Sequence, residues 1–421
     1  MTLVGYLMVV IGGLLGLYSI YWGVLLVTGG ISIRKMKTVE ERNRKTNILI
    51  RSSNTTQLPF VSVVVAAKNE GKVIGRLIRS LQRLRYDPAR IEFIISESGS
   101  TDNTREIISQ FVKADPRVRL VTPGRPGKGN ALNAAIEIAR GDVFFFVDAD
   151  CVPESDYLLK AIPEYLNGND LLVGYYRTIN SGQSIWTKLA TFEDFLWRVM
   201  GAGKARLNLS VPLSGPSSVL SRRALMSVQG GFKNILTEDI ELWVRLLKAG
   251  YVGRYVDAYV WMEAPAKLEV LLRQRIRWYR GYLETALMHL DVWKYTTPSR
   301  ALDALLMLST PFFAMLSLLS YGLSLLTIPV LPSNLAIILF GGWFIGSNLL
   351  GLFLLNIGIV LIVGSEGAGM TRISPLVYVY TAVLSLSSSI AILNLALSRP
   401  RRWIKTERTG YVDPAVLEVR S

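Results

Sequence analysis

Three short pieces, far apart along the chain, hold side chains able to do chemistry: Asp148-Ala149-Asp150, Thr237-Glu238-Asp239 and Gln274-Arg275-Ile276-Arg277-Trp278. The two aspartates follow a strand of three phenylalanines. They are hard oxygen donors of the kind a divalent cation takes while phosphate and water fill its remaining positions. One cysteine, Cys151, and one histidine, His289, exclude a sulfur and imidazole site, so magnesium or manganese is the metal to expect. Asp239 stands at the start of a helix. There a carboxylate either stabilises the helix dipole or, with a hydroxyl in hydrogen-bond reach, works as a general base. Gln274, Arg277 and Trp278 share one helix face. Arginine clamps phosphate oxygens through two parallel hydrogen bonds, and an indole can stack on a sugar ring. Gly127-Lys128-Gly129-Asn130 precedes another helix, a place that favours an anion. Its spacing is not that of the phosphate loop of nucleotide hydrolases.

These residues need a scaffold, and the hydrophobic pattern supplies one. Phe60–Val65 is a short apolar run suited to a strand buried on both faces. Val73, Ile74, Leu77, Ile78, Leu81 and Leu84 then recur at helical spacing. Strands over 91–95, 118–121 and 143–147 alternate with helices, one of them over 130–140. Such alternation predicts a parallel sheet with its ligand site beyond the carboxyl ends of the strands. The loop from Glu97 to Asp102 and the Asp148 pair both sit at such ends. Cys151 is expected to be a buried small residue, and His289 a surface or interface residue.

Half of the 421 residues are hydrophobic and the formal charge is +15. Both follow if apolar residues collect in membrane spans and basic ones flank them in the cytoplasm. The Lys/Arg clusters abut hydrophobic stretches, so anionic lipid is the partner they fit, and nucleic acid is not. The pattern divides the chain into an anchor (1–30), a basic cytoplasmic linker (31–58), an α/β domain (59–263), interfacial amphipathic helices (264–300), membrane helices (301–398) and a basic tail (399–421). Within the membrane part, 303–329, 335–363 and 374–398 are each long enough to span. The charges after the first span place the α/β domain in the cytoplasm. Three C-terminal crossings would then place the tail outside, while its own charges favour the cytoplasm. Either one block is re-entrant or interfacial or the charge rule fails here, and a cytoplasmic tail is expected.

In order and spacing, these pieces resemble the membrane-embedded inverting glycosyltransferases of the second sequence family, which include the hyaluronan, cellulose and chitin synthases. The resemblance runs from about Phe60 to Trp278. It is carried by Ala67-Lys68-Asn69-Glu70, Glu97-Ser98-Gly99-Ser100-Thr101-Asp102, Gly127 to Asn133, Asp148-Ala149-Asp150, Ser214 to Ser218, Thr237-Glu238-Asp239 and Gln274-x-x-Arg277-Trp278. It implies a GT-A-like α/β domain with a Rossmann-like parallel core, joined to transmembrane and interfacial helices. Position by position, it implies that Glu70 and the Glu97 loop hold the uridine, and that Lys128 lies near the diphosphate. Asp148 and Asp150 hold nucleotide and metal, and Gln274 and Arg277 hold the diphosphate. Asp239 is the base, and Glu238 and Trp278 bind the acceptor, with Trp278 as its floor. Trp403 to Gly410 is similar to the gating segment of the hyaluronan synthases. One departure stands out: the family's Asp-Asp-Gly-Ser is here Glu97-Ser98-Gly99-Ser100, which puts the uracil contact in question.

The expected activity is metal-dependent, inverting transfer from a UDP-sugar to a growing polysaccharide, coupled to secretion across the plasma membrane. The alternative is a glycolipid synthase that adds one sugar to a lipid, as ceramide glucosyltransferases do. Only about four apolar blocks are available, so polymer export would need a homo-oligomer to complete a channel, and a lipid acceptor would need none. A reading from another class, a transporter with a nucleotide-binding regulatory domain, predicts nucleotide binding without turnover.

Overall fold

The computed structural model describes residues 3–46, 58–327, 373–401 and 406–413. Eight strands form one sheet: β1 (Val61–Ala67), β2 (Ile91–Glu97), β3 (Val118–Val121), β4 (Val143–Phe146), β5 (Val152–Pro153), β6 (Leu171–Thr178), β7 (Ser218–Ser221) and β8 (Arg254–Met262). Their order is β3-β2-β1-β4-β7-β6-β8-β5. The β3-β2-β1-β4 half is parallel, as the sequence predicts. The other half corrects the prediction: β7 runs antiparallel to both β4 and β6, and β5 antiparallel to β8. The sheet is therefore mixed. The strand–helix alternation behind the forecast is broken only at Asp150, where the chain turns directly into β5. It resumes through β6, β7 and β8 with helices between them, so alternation alone does not fix strand direction.

The helices are α1 (Leu3–Thr46), α2 (Ile74–Gln82), α3 (Thr104–Ala114), α4 (Lys128–Ile138), α5 (Tyr157–Leu166) and α6 (Ile185–Arg206). They continue with α7 (Arg222–Ser227), α8 (Glu238–Lys248), α9 (Leu268–Met288), α10 (Pro298–Leu308), α11 (Thr310–Thr327) and α12 (Ser374–Ala396). Side chains alternate across a strand. Phe145 thus joins Val63, Phe93 and Tyr157 on one face of the sheet, while Phe144 and Phe146 join Leu132, Ile136 and Trp243 on the other. Helix α2 is too short to stand alone in water. Its Ile74, Leu77, Ile78 and Leu81 are wholly buried, and at roughly 1.5–3 kcal/mol for each such side chain that contact holds it in place.

Helix α1 continues unbroken through the basic flank to Thr46, so the linker expected over 31–58 is helical for much of its length. Among the described residues, two helices are long and apolar enough to cross a membrane, Val10–Met36 and Leu376–Ala396. Residues 298–308 and 310–323 count as a third only together, because they bend by 53° at Ser309. The block expected over 335–363 lies outside the described residues.

Helix α6 belongs by sequence to the α/β domain, yet it packs along α1. At the crossing, a Cβ on Gly29 would stand 1.8 Å from the Val199 carbonyl oxygen, and one on Gly203 would stand 2.1 Å from that of Leu25. Only glycine permits this approach of backbones. Beside it, buried Lys204 meets Asp303 of α10 at 2.5 Å, and the Tyr21 hydroxyl of α1 donates to the same carboxylate oxygen at 2.8 Å. Helix α9, forecast as an interfacial amphipathic helix, also makes internal contacts. Arg275 and Arg280 are buried, and the helix packs against α11 and α12.

Candidate active site

The site lies where β1, β2 and β4 end. After β4 the chain turns at once, with the Cys151 amide donating to the Asp148 carbonyl at 3.0 Å. This bend places both carboxylates of the Asp-x-Asp piece at the same mouth. Lys128, the first residue of α4, reaches across to Asp148 at 2.8 Å and to Glu238, the first residue of α8, at 2.9 Å. Burial works against the ammonium charge, but Asp148, Glu238 and Asp239 outweigh it and hold the lysine pKa well above its usual value.

Asp239 follows directly. Its Oδ2 accepts the Gly215 amide at 2.9 Å, and its Oδ1 the Ile240 amide at 2.9 Å. Burial, and then the neighbouring Glu238, push its pKa up to about 6, against the pull of Lys128 and the two amides. A carboxylate poised there is largely ionised at neutral pH yet still basic enough to take a hydroxyl proton. Gly215 marks the point of convergence. A Cβ there would lie 3.4 Å from Asp239 Oδ2, 3.4 Å from Lys128 Nζ and 3.6 Å from Asp148 Oδ2. Three pieces separated in sequence thus meet around one glycine of the Ser214–Ser218 segment.

A cavity of about 290 Å³ opens beside this point. Lys68 and Glu70 line it after β1, Ser98 after β2, and Asp148 and Asp150 after β4. Arg277 of α9 faces it as well, within electrostatic reach of Glu238, Asp148 and Asp239. Part of the wall comes from the tail, through Arg401, Thr406 and Arg408. The Arg408 guanidinium meets Asp150 Oδ2 at 2.6 Å, with both side chains nearly buried. Glu263 straps the segment down, accepting the Thr409 amide at 2.5 Å, the Thr409 hydroxyl at 2.7 Å and the Gly410 amide at 3.1 Å. Asp413 completes the strap by accepting the Gly182 amide at 2.9 Å. Of the gating segment expected over Trp403–Gly410, residues 403–405 lie outside the described residues, and Thr406 and Arg408 line the cavity.

Not every expected residue faces the cavity. Glu97 is buried within its own loop, accepting the Ser100 amide and pairing with Arg105 at 3.0 Å. Ser98 lines the cavity in its stead. Glu238 is paired with Lys128 rather than open to an acceptor. Gln274 is buried off the cavity wall, and its Oε1 has no hydrogen-bond partner among the described residues. Trp278 lies against the Arg275 guanidinium, 4.2 Å from carbon to ring centre. Helix α9 passes so close to the turn before Asp239 that a Cβ on Gly281 would come within 2.4 Å of the Thr237 hydroxyl oxygen. Cys151 is buried as expected, and burial together with Asp150 and Asp148 raises its thiol pKa, so it is no nucleophile. His289 is buried rather than at a surface, its Nε2 3.3 Å from Glu241.

Among the described residues, no group of three or more His, Cys, Asp or Glu side chains could hold a metal. Two carboxylates at the mouth of a cavity instead fit a cation that takes few protein ligands and completes its shell with phosphate and water. Sequence reasoning missed three features: Glu263 as the tail's anchor, Gly215 as the meeting point, and Arg275 as Trp278's partner. Gly215 and Arg275 both stood in quoted segments, but without these roles. A lone glutamate after a strand and an arginine within a helix carry no signal of their own.

Residues 62–227 match the model for glycosyl transferase family 2, which takes in β1 to α7 and the loops bearing Glu70, Glu97, Lys128, Asp148 and Asp150. The probable glycosyltransferase YdaM of Bacillus subtilis is 30% identical over 236 residues, 54% of this chain and 56% of that protein. A beta-monoglucosyldiacylglycerol synthase of Synechocystis is 28% identical over 280 residues, 65% of this chain and 58% of its own. A poly-beta-1,6-N-acetyl-D-glucosamine synthase of Staphylococcus aureus is 28% identical over 276 residues, 64% of each. The chain thus spans between half and two thirds of these relatives' lengths. Among solved structures, mannosyltransferase PcManGT from Pyrobaculum calidifontis, in complex with GDP-Man and Mn2+, superposes with a TM-score of 0.56 at 18% identity. The match covers 89% of this chain and 100% of that one. The fold is GT-A-like, with a mixed sheet in place of the expected parallel one.

Proposed function

We propose that this chain is a membrane-bound, inverting glycosyltransferase that moves one sugar from a nucleoside diphosphate sugar onto a hydroxyl of a lipid acceptor. The observation that carries this reading is the meeting of Asp239, Lys128 and Asp148 around Gly215, between a cavity on one side and the membrane-packed helix α9 on the other. The Asp239 carboxylate takes the proton of the acceptor hydroxyl as that oxygen bonds to the anomeric carbon. The bond from that carbon to the diphosphate breaks on the opposite face, which inverts the configuration. Lys128 and Arg277 balance the charge of the departing diphosphate. Asp148 and Asp150 would hold magnesium or manganese, which when bound supplies Lewis-acid stabilisation of the diphosphate. Lys68, Glu70 and Ser98 line the end of the cavity expected to take the nucleoside.

Several features favour a lipid over a polymer. The relatives just described include a synthase named for a glucosyl diacylglycerol. Trp278 stands on a helix packed against α11 and α12, close to where a lipid hydroxyl would arrive. A second reading, transfer to a growing polysaccharide, has its own support in the relative named as a poly-N-acetylglucosamine synthase and in the tail segment over the cavity. Under either reading, the basic flank of α1 favours a plasma-membrane enzyme with its α/β domain in the cytoplasm. The deciding experiment offers purified protein UDP- and GDP-sugars with manganese, together with dioleoylglycerol or an oligosaccharide. A lipid carrying a single sugar is the expected product. A polymer would transfer the case to the second reading, and nucleotide binding without release of any product would reject both.

A further inference from the structure

Helix α9 carries Trp278 and Arg277, but the side chain between them and Gln274 that fixes this stretch is Arg275. It is 4% exposed, and its guanidinium lies 4.2 Å from the centre of the Trp278 ring. One of its nitrogens, Nη2, donates to Glu193 of α6 at 2.5 Å and to the Tyr380 hydroxyl of α12 at 3.0 Å. The Tyr380 hydroxyl in turn donates to the same Glu193 oxygen. Nε and Nη1 make no hydrogen bond among the described residues. The orientation of the guanidinium is therefore set by two partners and one aromatic face. A guanidinium over an indole with a directed hydrogen bond from one of its nitrogens is a geometry lysine cannot reproduce.

The three helices that meet here differ in kind. Helix α6 packs along the membrane-length α1, α9 holds the residues of the site, and α12 is itself long and apolar enough to span. The Arg275 node is where they are joined by charge, with partners 82 and 187 residues apart in sequence. Tyr282, one turn beyond Trp278, lies within electrostatic reach of Asp239, Arg275 and Glu193 alike. The node thus lies near the base, and none of its three residues lines the cavity that Lys68 and Ser98 line.

We propose that Arg275, Glu193 and Tyr380 are positioning residues that fix the plane of Trp278, and through it the acceptor, without touching the donor. Its kinetic arm rests on the transfer reading above, and a spectroscopic arm does not. Tyr380→Phe removes a single oxygen and leaves the ring, so it disturbs packing least. Glu193→Gln keeps the shape and removes the charge. Both should lower kcat/KM for dioleoylglycerol at least tenfold, mainly through KM. UDP binding by calorimetry should stay within twofold, and so should the slow hydrolysis of UDP-sugar in the absence of acceptor. Arg275→Lys should fail to restore acceptor use. A merely structural role would weaken donor and acceptor terms together.

The second arm compares acrylamide quenching with and without Trp278→Phe, which isolates this indole from the other eight of nine tryptophans. Tyr380→Phe and Glu193→Gln should each raise the quenching assigned to Trp278. Unchanged quenching would overturn the proposal whatever the protein transfers. If quenching rises but no sugar moves to any acceptor even in the unaltered protein, the positioning node stands and the transfer reading falls.

Discussion

On the donor side, Lys128, Asp148 and Glu238 meet at 2.8 and 2.9 Å, each offered by the first or last residue of an element or the turn just beyond it. On the membrane side, Arg275, Glu193 and Tyr380 meet from the interiors of three helices. Element ends expose unpaired backbone groups and bend the chain, so they collect short polar stretches that stand out in a sequence. Helix interiors offer side chains singly, and a partner becomes visible only once the helices are packed. The difference separates a region whose chemistry is written locally from one whose chemistry is written by tertiary contact.

Asp239 stands where the two regions join, and its loss should have the largest effect. Asp239→Asn is expected to cut single-turnover transfer by about 10³-fold, within the usual contribution of a general base, while UDP binding persists. A loss of less than tenfold would move the base elsewhere and dissolve the boundary between the regions. The membrane side is tested next by Gly203→Val. No side chain fits at 2.1 Å from the Leu25 carbonyl oxygen, so α1 and α6 must part. The expected cost is about 1–3 kcal/mol, as for an overpacked core, seen as earlier thermal unfolding in detergent. Unaltered unfolding would show that the two helices do not need each other.

Acidity probes the donor side more gently. Transfer should rise with pH as Asp239 loses its proton, with a midpoint near its pKa of about 6. Lys128 helps to hold that pKa down, so Lys128→Met leaves only the two amides against burial and Glu238 and should move the midpoint to higher pH. A downward move would contradict the arrangement. The smallest effect is expected at the strap. Glu263→Ala should hasten trypsin cleavage after Arg408, which is buried against Asp150, with little change in the unfolding of the sheet.

The same contrast explains what could be read without coordinates. The parallel half of the sheet was legible because its strands are continuous apolar runs divided by amphipathic helices, and Lys128, Asp148 and Asp239 were legible as polar islands at their ends. The mixed half was not, since β5 and β7 are short and no local pattern tells on which side a strand will pair. Helix α6 gave no sequence sign of its packing, because Glu193, Arg198 and Lys204 carry no local mark of a partner. Each is consumed by a partner from elsewhere: Arg275, Asp257 and Asp303. Glu97 misled in the opposite direction. A carboxylate in the right loop was expected to face the nucleotide, but Ser100 and Arg105 claim it.

The strap has a consequence for biosynthesis. Arg408 and Thr406 wall a chamber whose floor is laid down by β1 and β4, more than two hundred residues earlier in translation. A ribosome that has finished the sheet has made every acidic group of the chamber but not its roof, and α12 must emerge before the roof can. Nascent chains therefore reach the lipid with the chamber open on one side, and closure waits until that late helix has been handed to the bilayer.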